Sequence, residues 1–408
     1  MTYFAFIRAQ YRFLVFGFLM MALSNFGQTF FISLYADAIK LQFGLSNSGF
    51  GALYSTVTLL SAAALLYTGK LIDEIRLPVF TVFVFVGLGL AALLMGLANH
   101  IALLAIALFG LRHFGQALAP HTGVTATGRA YVAHRGQAVS LVQLGYATAE
   151  GVLPIIAVAG LAYFSWQQNW LIFGLFLLFL ALPLQVFLTR YEPPRSAKIG
   201  AHAEDADTGM ARGEVLGDWR FYCVLPLYTS SPFLLTGLFF HQLALADARG
   251  WPLAALALGF TLYAVVKVVV SLLMGPLIDR FSARRLLPVS ALPLMLALSL
   301  LVFTDNLFGS ITPHVYMCLI GVNLGLGAPL SGSLWPELFG TRHLGAIRSL
   351  TSAFGVTATA AAPVIFGFAI DAGISFAVIA AWGLAYLFIV VALAFGVAAA
   401  KIPPQGRV

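Results

Sequence analysis

Apolar residues along this chain form twelve long runs, separated by short clusters of charged and turn-forming residues. A helix needs about 20 apolar residues to cross the hydrocarbon core of a bilayer, and each run is close to that length or longer. The pattern predicts an all-α membrane protein with twelve transmembrane helices, at residues 12–36, 48–70, 77–98, 101–124, 136–162, 168–189, 219–246, 252–277, 286–304, 312–335, 345–370 and 374–400.

The composition excludes an ordinary soluble protein. Of the 408 residues, 61% are hydrophobic and only 9% are charged, whereas a soluble chain carries about 25% charged residues. The two cysteines, Cys223 and Cys318, lie in apolar runs, which excludes a disulfide framework, a zinc ribbon and a two-cysteine redox motif. The excess of basic residues is scattered between the runs and forms no basic face, so we expect no nucleic-acid partner.

The glycine-rich segments predict helix packing and give no sign of a nucleotide site. Gly321-x-x-x-Gly325 is not a Walker motif, and the small residues of 321–333 and 351–363 favour close packing and bending of helices. An enzyme would need a nucleophile, a His-Asp pair or a metal set grouped at one membrane face, and the sequence offers none. We therefore expect no catalytic site, metal or cofactor.

The distribution of lysine and arginine predicts the orientation in the membrane. If the N-terminus is cytoplasmic, eighteen of these residues lie on the cytoplasmic side, and only Lys40 and Arg249 lie on the other. Cytoplasmic loops carry such an excess of basic residues. The chain is thus expected to be a multi-pass protein of the plasma (inner) membrane, with both termini cytoplasmic.

One long polar stretch divides the chain into two parts. Residues 190–218 contain Pro193, Pro194 and acidic residues such as Glu204, Asp205 and Asp207, a composition typical of a flexible linker. We predict an N-terminal six-helix bundle at 1–189, a cytoplasmic linker at 190–218 and a C-terminal six-helix bundle at 219–408.

The two parts also repeat in sequence. The residues Gly69-Lys70-Leu71-Ile72-Asp73 after the second span return as Gly275-Pro276-Leu277-Ile278-Asp279 after the eighth. Several single residues match at a spacing of 209, among them Pro120 with Pro329 and Ser140 with Ser349. The repeat predicts two pseudo-symmetric bundles, an architecture typical of transporters.

The second copy of this repeat carries a family resemblance. The residues from Gly275 to Arg285 closely resemble the Gly-x-Leu-x-Asp-Arg-aromatic-Gly-Arg-Arg signature of the major facilitator superfamily. The first copy departs from this signature: Glu74, Ile75 and Arg76 stand where a basic residue, an aromatic residue and a glycine are usual. Arg112 through Gln116 in the fourth span resembles the second signature of that superfamily. The Gly-Pro-rich signature of drug/proton antiporters is absent from the fifth span.

The resemblance implies a gating role for the repeated loops. A glycine there would let two spans approach, and a carboxylate and an arginine pair would make contacts that break in each transport cycle. The alternative is a basic loop with no mechanistic role. The candidate gating residues are Gly69, Asp73, Gly275, Asp279, Arg280, Arg284 and Arg285.

Ionisable residues within membrane spans are costly and are candidates for function. Arg112 lies midway through the fourth span and Glu150 midway through the fifth, so the two side chains are expected to pair. The pair is either purely structural or a proton-coupling relay, because an acid beside an arginine can exchange its ion pair for a proton.

Lys267 is the other mid-span cation. It forms a polar stripe with Tyr263 and Ser271 in the eighth span, and every carboxylate of the second half falls at a span end. Lys267 would meet an anionic substrate, reach Glu150 across a cavity, lose its proton, or extend to the membrane surface. It resembles the membrane-embedded basic residues of monocarboxylate and oxalate carriers, in a different local sequence.

Several neutral or histidine side chains complete the set of candidates. In transporters of the resembled superfamily the first, fourth, seventh and tenth spans line the substrate cavity. The alternative role is an interhelical hydrogen bond. The candidate substrate-binding residues are Asn25, Gln28, Arg112, His241, Gln242, Tyr263, Lys267 and Asn323, with Glu150 and Arg112 as candidates for proton coupling.

These features predict a monomeric secondary transporter that works by alternating access on a small organic anion, with protons or a counter-anion as coupling partner. A proton-driven exporter of amphipathic compounds is the main alternative, favoured by 35 Phe and 14 Tyr. A membrane enzyme and a transporter-like sensor that moves no solute are the alternatives from other classes.

Overall fold

The computed structural model describes residues 3–131, 134–193, 209–303, 307–340 and 342–399. Inside the helices, the side chains of residues 3–5, 135, 136, 279, 344 and 345 lie outside this description. The candidate gating residue Asp279 is therefore described by its backbone alone.

The chain divides into two compact units, Met1–Ile199 and Gly200–Val408. Among the described residues, twelve helices are long and apolar enough to cross a membrane, which confirms the predicted number. Six of them lie in the first unit, and we call them spans 1 to 6: Phe6–Gly27, Asn47–Glu74, Leu77–Leu97, Ile101–Ala130, Gln137–Leu161 and Trp166–Thr189.

Spans 7 to 12 lie in the second unit. The outward side chains of both sets are predominantly large and apolar, as expected for helices that contact lipid. The bounds of these six spans are Trp219–Phe240, Leu253–Ile278, Ala283–Phe303, Gly309–Phe339, Ala346–Asp371 and Phe376–Ala399.

The C-terminal part of the predicted linker is folded. Arg212–Gly217 forms a short helix, and the carboxylate of Glu214 accepts a hydrogen bond from the backbone N–H of Ala211 at 2.6 Å. The backbone N–H of Met210 donates to the carbonyl of Phe339 at 2.9 Å. These backbone contacts hold the segment that leads into span 7.

The helix of span 1 is broken at its C-terminal end, and the chain continues in short helical pieces. The last residues of span 1, Ser24–Gly27, form a 3-10 turn, and Gln28 is extended with φ −82° and ψ 150°. The chain then resumes as Thr29–Ile32 and Ala36–Phe43. An extended residue within a helix leaves carbonyls without their usual i+4 partners, so the break exposes backbone acceptors inside the unit.

Span 4 is irregular at the same level. Residues Leu111–Leu118 form a π-helical segment, a distortion that is frequent at functional sites. A Cβ added to Gly27 would lie 2.9 Å from the Cα of Gly115 and still closer to the carbonyl of Leu111. Because no side chain fits there, the break in span 1 packs backbone to backbone against the π-helical turn.

Spans 8 and 10 approach each other in a similar way through two glycines. A Cβ on Gly321 would lie 2.7 Å from the carbonyl of Tyr263, and one on Gly325 would lie 2.7 Å from the carbonyl of Lys267. The close packing expected for this glycine-rich stretch therefore occurs beside the polar stripe of span 8, and it fixes the backbone that carries Lys267.

Candidate functional site

Lys267 reaches a cavity within the second unit. The cavity has a volume of about 300 Å³ and is bounded by spans 7 to 10. Most of its lining is apolar or small, and its polar lining residues are Tyr228, Ser231, Lys267, Ser290, Asn323 and Ser331. A cationic side chain among neutral hydrogen-bonding groups is an arrangement that can bind a small anion.

The polar groups of this cavity are organised by a short hydrogen-bond chain. Ser231 of span 7 donates to the Asn323 Oδ1 atom at 2.9 Å, and the Asn323 amide donates to the carbonyl of Ser290 at 3.0 Å. Asn323 is buried, with 4% of its surface exposed. These two bonds link spans 7, 9 and 10 on the side of the cavity that Lys267 shares.

Lys267 itself interacts with the neighbouring residue of its stripe. Its ammonium lies 3.5 Å from the Tyr263 hydroxyl and 5.5 Å from the centre of the Tyr263 ring. Tyr263 is buried, whereas Lys267 is half-buried. Lys267 thus contacts Tyr263 of the predicted stripe and shares a cavity with Asn323 of span 10.

Arg112 occupies a much more enclosed site in the first unit, where only 2% of its surface is exposed. Its Nε donates to the Thr58 hydroxyl at 3.0 Å. Its Nη1 donates to the Gly27 carbonyl at 3.1 Å and to the Thr29 hydroxyl at 3.4 Å. The guanidinium carbon lies 4.8 Å from the centre of the Tyr54 ring. Arg112 therefore joins the broken end of span 1 to span 2.

Direct pairing of Arg112 with Glu150 stays a prediction, because the hydrogen bonds described for Arg112 go to other residues. The acceptors of those bonds are neutral oxygens. The break in span 1 brings the Gly27 carbonyl to the guanidinium. Tyr146, one helical turn before Glu150, interacts electrostatically with both charged groups, so the arginine and the acid are neighbours of a common tyrosine.

Asn25 connects the same region to span 5. Its amide donates to the carbonyls of Met21 and Ala22 at 3.1 Å and to the carbonyl of Tyr146 at 3.3 Å. Asn25 is fully buried and Glu150 is 4% exposed. The structure thus brings three sequence-predicted residues, Asn25, Arg112 and Glu150, into one part of the first unit.

The remaining candidates have more separate positions. Gln28 is the extended residue at the break in span 1 and is 8% exposed. His241 ends the helix of span 7, and its Nε2 atom lies 2.9 Å from the carbonyl of Pro363 in span 11. Gln242 is buried at the start of the next short helix, Gln242–Ala248. None of these three lines the Lys267 cavity.

The first signature loop contacts span 4 of its own unit. Asp73 forms an ion pair with Arg129, which also donates to the carbonyl of Ile72 at 3.3 Å. The carbonyl oxygen of Gly69 lies 3.0 Å from the Nε2 atom of His121. The loop thus contacts residues in the C-terminal part of span 4, and the Asp73–Arg129 pair is largely exposed.

The second signature loop contacts span 10, with the charges reversed. The Glu337 carboxylate accepts from the backbone N–H groups of Ala283 and Arg284 at 2.9 and 3.3 Å, and the Arg284 guanidinium lies 3.9 Å away. Ser282, just before them, has φ 70° and ψ 147°. Glu337 therefore caps the start of span 9 beside a backbone position that favours glycine.

Three other candidates of the second loop, Gly275, Arg280 and Arg285, have different surroundings among the described residues. A Cβ on Gly275 would meet no described atom of the unit within 4 Å, so close approach within the unit does not explain this glycine. The Arg280 guanidinium carbon lies 5.2 Å from the centre of the Phe281 ring, and Arg285 is exposed.

Sequence reasoning missed several residues that build these sites. Tyr54 and Thr58 lie one turn apart on span 2 and both face Arg112, a polar stripe of the kind that identified Tyr263 and Lys267. Tyr146 lies one helical turn before Glu150, so the same spacing could have identified it. Arg129 and Glu337 gave no signal, because their importance depends on which loop folds against them.

Twelve apolar helices with charged residues buried inside the spans are typical of a polytopic membrane transporter. The sequence model of the Major Facilitator Superfamily matches residues 17–363, most of the chain, and the chain therefore belongs to that superfamily. Membership makes it a transporter of a small-molecule substrate, as the signature loop predicted.

Two similar solved structures are of a bacterial homologue of the human lysosomal transporter Spinster, both inward-facing. The unoccupied form is 15% identical with a TM-score of 0.68, over 95% of this chain and 97% of that chain. The occupied form is 16% identical with a TM-score of 0.68, over 94% and 96%. At this identity the likeness establishes the fold alone. No curated protein matches the sequence significantly.

Proposed function

We propose that this chain is a secondary active transporter of a small organic anion that works by alternating access. The observation that carries the proposal is Lys267, whose ammonium shares a cavity of about 300 Å³ with the hydroxyl and amide groups of Ser231 and Asn323. A cation within a span costs about 2.5–3.5 kcal/mol on insertion scales. A carboxylate substrate would offset that cost, while the neutral groups would bind its second oxygen.

The charge balance of the mid-span residues supports an anion over a cation. Arg112 and Lys267 are cations and Glu150 is the single acid among the mid-span candidates, which leaves one excess positive charge. Arg112 is held mainly by neutral oxygens, so its charge adds to the positive field of the first unit. A cationic drug would be repelled by this field, whereas a small carboxylate complements it.

Glu150 is the proposed proton-coupling residue. It is buried in span 5 and interacts electrostatically with Tyr146, and Tyr146 also interacts electrostatically with Arg112. A buried acid changes its charge when it takes up a proton, and such a change would be felt by the neighbouring arginine. A counter-anion remains the alternative coupling partner, in which case Glu150 would serve to hold the helix bundle together.

The signature loops are proposed to bias the conformational equilibrium. Asp73 and Arg284 each hold a loop against a span of the same unit, and such contacts can favour one state of a two-state transporter. We place the loops, both termini and residues 190–218 on the cytoplasmic side of the plasma (inner) membrane. Impermeant labelling of cysteines introduced at Ser196 and Asp305 in intact cells should modify only the second.

Substitution of Lys267 tests the proposal. We expect Lys267→Gln to weaken anion binding by roughly 10- to 100-fold, because a hydrogen bond to a charged group is worth about 1.5–3 kcal/mol. Lys267→Arg should retain part of the binding with altered selectivity, since the guanidinium differs in shape from the ammonium. The measurement is solute-dependent thermal stabilisation of the purified protein, screened over organic anions, cations and neutral compounds.

Lys40→Gln is the matched control, because Lys40 lies outside the twelve spans and forms a surface ion pair with Asp37 at 2.8 Å. It should leave anion binding unchanged. The proposal fails if Lys267→Gln binds and transports anions like the unmodified protein, or if only cations stabilise it. The exporter of amphipathic compounds would then be the better assignment.

A further inference from the structure

A second cavity, unrelated to the polar sites, lies among spans 7, 11 and 12 in the second unit. It has a volume of about 380 Å³, and the side chains that bound it are almost entirely apolar. Phe233, Leu234 and Phe366 form one wall, and Ile379, Trp382 and Gly383 form the other. The volume is within the range of known small-ligand sites.

The two hydroxyl groups that line this groove already have hydrogen-bond partners. The Thr229 hydroxyl donates to the carbonyls of Leu225 and Pro226 at 3.0 and 3.2 Å. The Tyr386 hydroxyl also donates to the Pro226 carbonyl, at 3.0 Å. Because these groups have partners inside the helices, the groove offers little to a polar or charged ligand and suits a hydrocarbon chain.

The groove also opens sideways, toward the lipid. Trp382 and Ile365 at its rim are 57% and 50% exposed, and Phe368 beside it is 63% exposed. Large apolar side chains in this position on a membrane span contact acyl chains. A water-soluble partner has no access to this depth, whereas the lipid of the surrounding bilayer does.

The depth of the groove matches one leaflet of the bilayer. Its lining in span 11 runs from Ala369, two residues before the end of the span, to Ala358 near the middle. At 1.5 Å per residue, eleven residues cover roughly 16 Å. Half of a hydrocarbon core of about 30 Å is close to that length. The groove therefore begins at the membrane boundary and ends near the bilayer centre.

We propose that the groove between spans 7, 11 and 12 binds one acyl chain of a membrane phospholipid. The chain enters beside Ala369 and Trp382, where the headgroup stays at the surface, and its end lies against Thr229, Ala358 and Tyr386. The small side chains of Ala358 and Ala369 leave the room that the acyl chain fills. This site is separate from the Lys267 cavity, and its occupant does not depend on the transported solute.

Photoreactive phosphatidylcholine in proteoliposomes tests the site. One lipid carries a diazirine near the carboxyl end of an acyl chain and a second carries it at the terminal carbon, and labelled residues are mapped by peptide mass spectrometry. The first probe should label Trp382 and Ile379, and the second should label Tyr386 and Ala358. We expect labelling about tenfold above that of lipid-exposed Phe388, a ratio that corresponds to a preference of about 1.4 kcal/mol.

Filling variants make the test specific. Ala369→Phe at the mouth should abolish labelling by both probes, and Ala358→Phe at the deep end should abolish labelling by the terminal probe alone. Ala392→Phe, at an exposed position of span 12 beyond the groove, should change neither. Thermal unfolding of each variant checks that it folds, and two independent variants keep the result interpretable if one does not.

Two results would overturn the proposal. In the first, the groove residues are labelled no more than Phe388, and neither filling variant changes the labelling. That result would mean that the lipid contacts the groove without binding to it. Displacement of the label by an amphipathic compound that the protein also transports would assign the groove to a substrate and not to a phospholipid.

Discussion

Each unit of this transporter has a cation within a membrane span, and the two cations are held in different ways. Arg112 is enclosed, with three hydrogen bonds to Thr58, Gly27 and Thr29 and a ring contact with Tyr54. Lys267 is half-buried at a cavity, and its ammonium lies 3.5 Å from the Tyr263 hydroxyl. Arg112 ties helices together, while Lys267 contacts its helix neighbour Tyr263 and lines a cavity.

The difference indicates that a mid-span charge can serve the fold or the solute. Arg112 bonds to a backbone carbonyl that the break in span 1 exposes, so removing the arginine would leave that carbonyl without its partner. Lys267 belongs to a helix that is continuous from Leu253 to Phe281. Its backbone is held by the glycine contacts of span 10 and does not depend on the ammonium group.

The largest effect should come from truncating the two cations and comparing stability. We expect Arg112→Met to lower the free energy of unfolding by about 2–3 kcal/mol, because hydrogen bonds to a buried charged group are lost and their acceptors stay buried. Lys267→Met should change it by less than about 1 kcal/mol, since the substitution also removes a cation from a span. Thermal unfolding in detergent measures both.

Equal losses of stability in the two variants would break the comparison and make Lys267 a structural residue as well. Arg112→Lys is the matched control in the first unit. It keeps the charge but cannot form the same fork of bonds to Thr58 and Gly27, so it should recover only part of the stability.

The next largest difference in stability should be between variants of the two signature loops. Glu337 bonds to two backbone N–H groups and is 30% exposed, whereas Asp73 pairs with Arg129 at a surface where it is 57% exposed. Glu337→Ala should lower stability by about 1–2 kcal/mol, as the loss of a helix cap does. Asp73→Ala should lower it by less than about 1 kcal/mol, as is usual for exposed ion pairs.

The positive φ of Ser282 supplies the control for the second loop. Ser282→Gly should raise stability by about 1 kcal/mol, because a non-glycine residue at φ 70° is strained. If Ser282→Gly stabilises the protein while Glu337→Ala has no effect, the carboxylate does not hold the loop, and the two signature loops are equivalent.

The fold was largely predictable from sequence, whereas the contacts of the sites were only partly so. Twelve apolar runs are long enough to identify twelve spans, and the signature after span 8 identified the superfamily. The stripe of Tyr263 and Lys267 was visible because residues four apart share a helix face. Tyr263 and Lys267 are only four residues apart, so their proximity follows from helix geometry without knowledge of the tertiary structure.

The partner of Arg112 was not predictable for a physical reason. Sequence periodicity treats span 1 as a continuous helix, in which the Gly27 carbonyl would be bonded internally. The break at Gln28 and the π-helical turn of span 4 arise from packing between the two helices at Gly27 and Gly115. The same limit applies to Arg129 and Glu337, whose partners come from distant loops.

The link between Arg112 and Glu150 is a weaker effect and sharpens the description of the first unit. Because the hydrogen bonds described for Arg112 go to neutral oxygens, we expect the coupling energy between Arg112→Gln and Glu150→Gln to be about 0.5–1 kcal/mol in a double-mutant cycle of stability. The same cycle in a Tyr146→Phe background should show whether the tyrosine carries the coupling, by a smaller coupling energy. A Glu150→Gln protein that exchanges solute but cannot concentrate it would support proton coupling.

Strict additivity of the two substitutions in both backgrounds would contradict any link between the arginine and the acid. Thr148→Ala on the same helix is a suitable control with Arg112→Gln, because Thr148 is exposed and its hydroxyl donates to the Leu144 carbonyl of its own helix. That cycle should be additive.

The smallest expected effect concerns the start of span 7 in the second unit, just outside the membrane. The Asp218 carboxylate accepts from the Arg220 backbone N–H at 2.8 Å and from its guanidinium, and the side-chain bond to Arg220 holds the pKa of Asp218 below its usual value. The folded pKa is therefore lower than the unfolded value of about 3.9. The resulting stability is complete above about pH 5 and is lost as the pH falls through 3.9 toward the folded pKa. Asp218→Asn should lower the unfolding temperature slightly at pH 6 and make no difference at the acid end of that window. An equal loss at both pH values would mean that the carboxylate charge contributes nothing to this helix start.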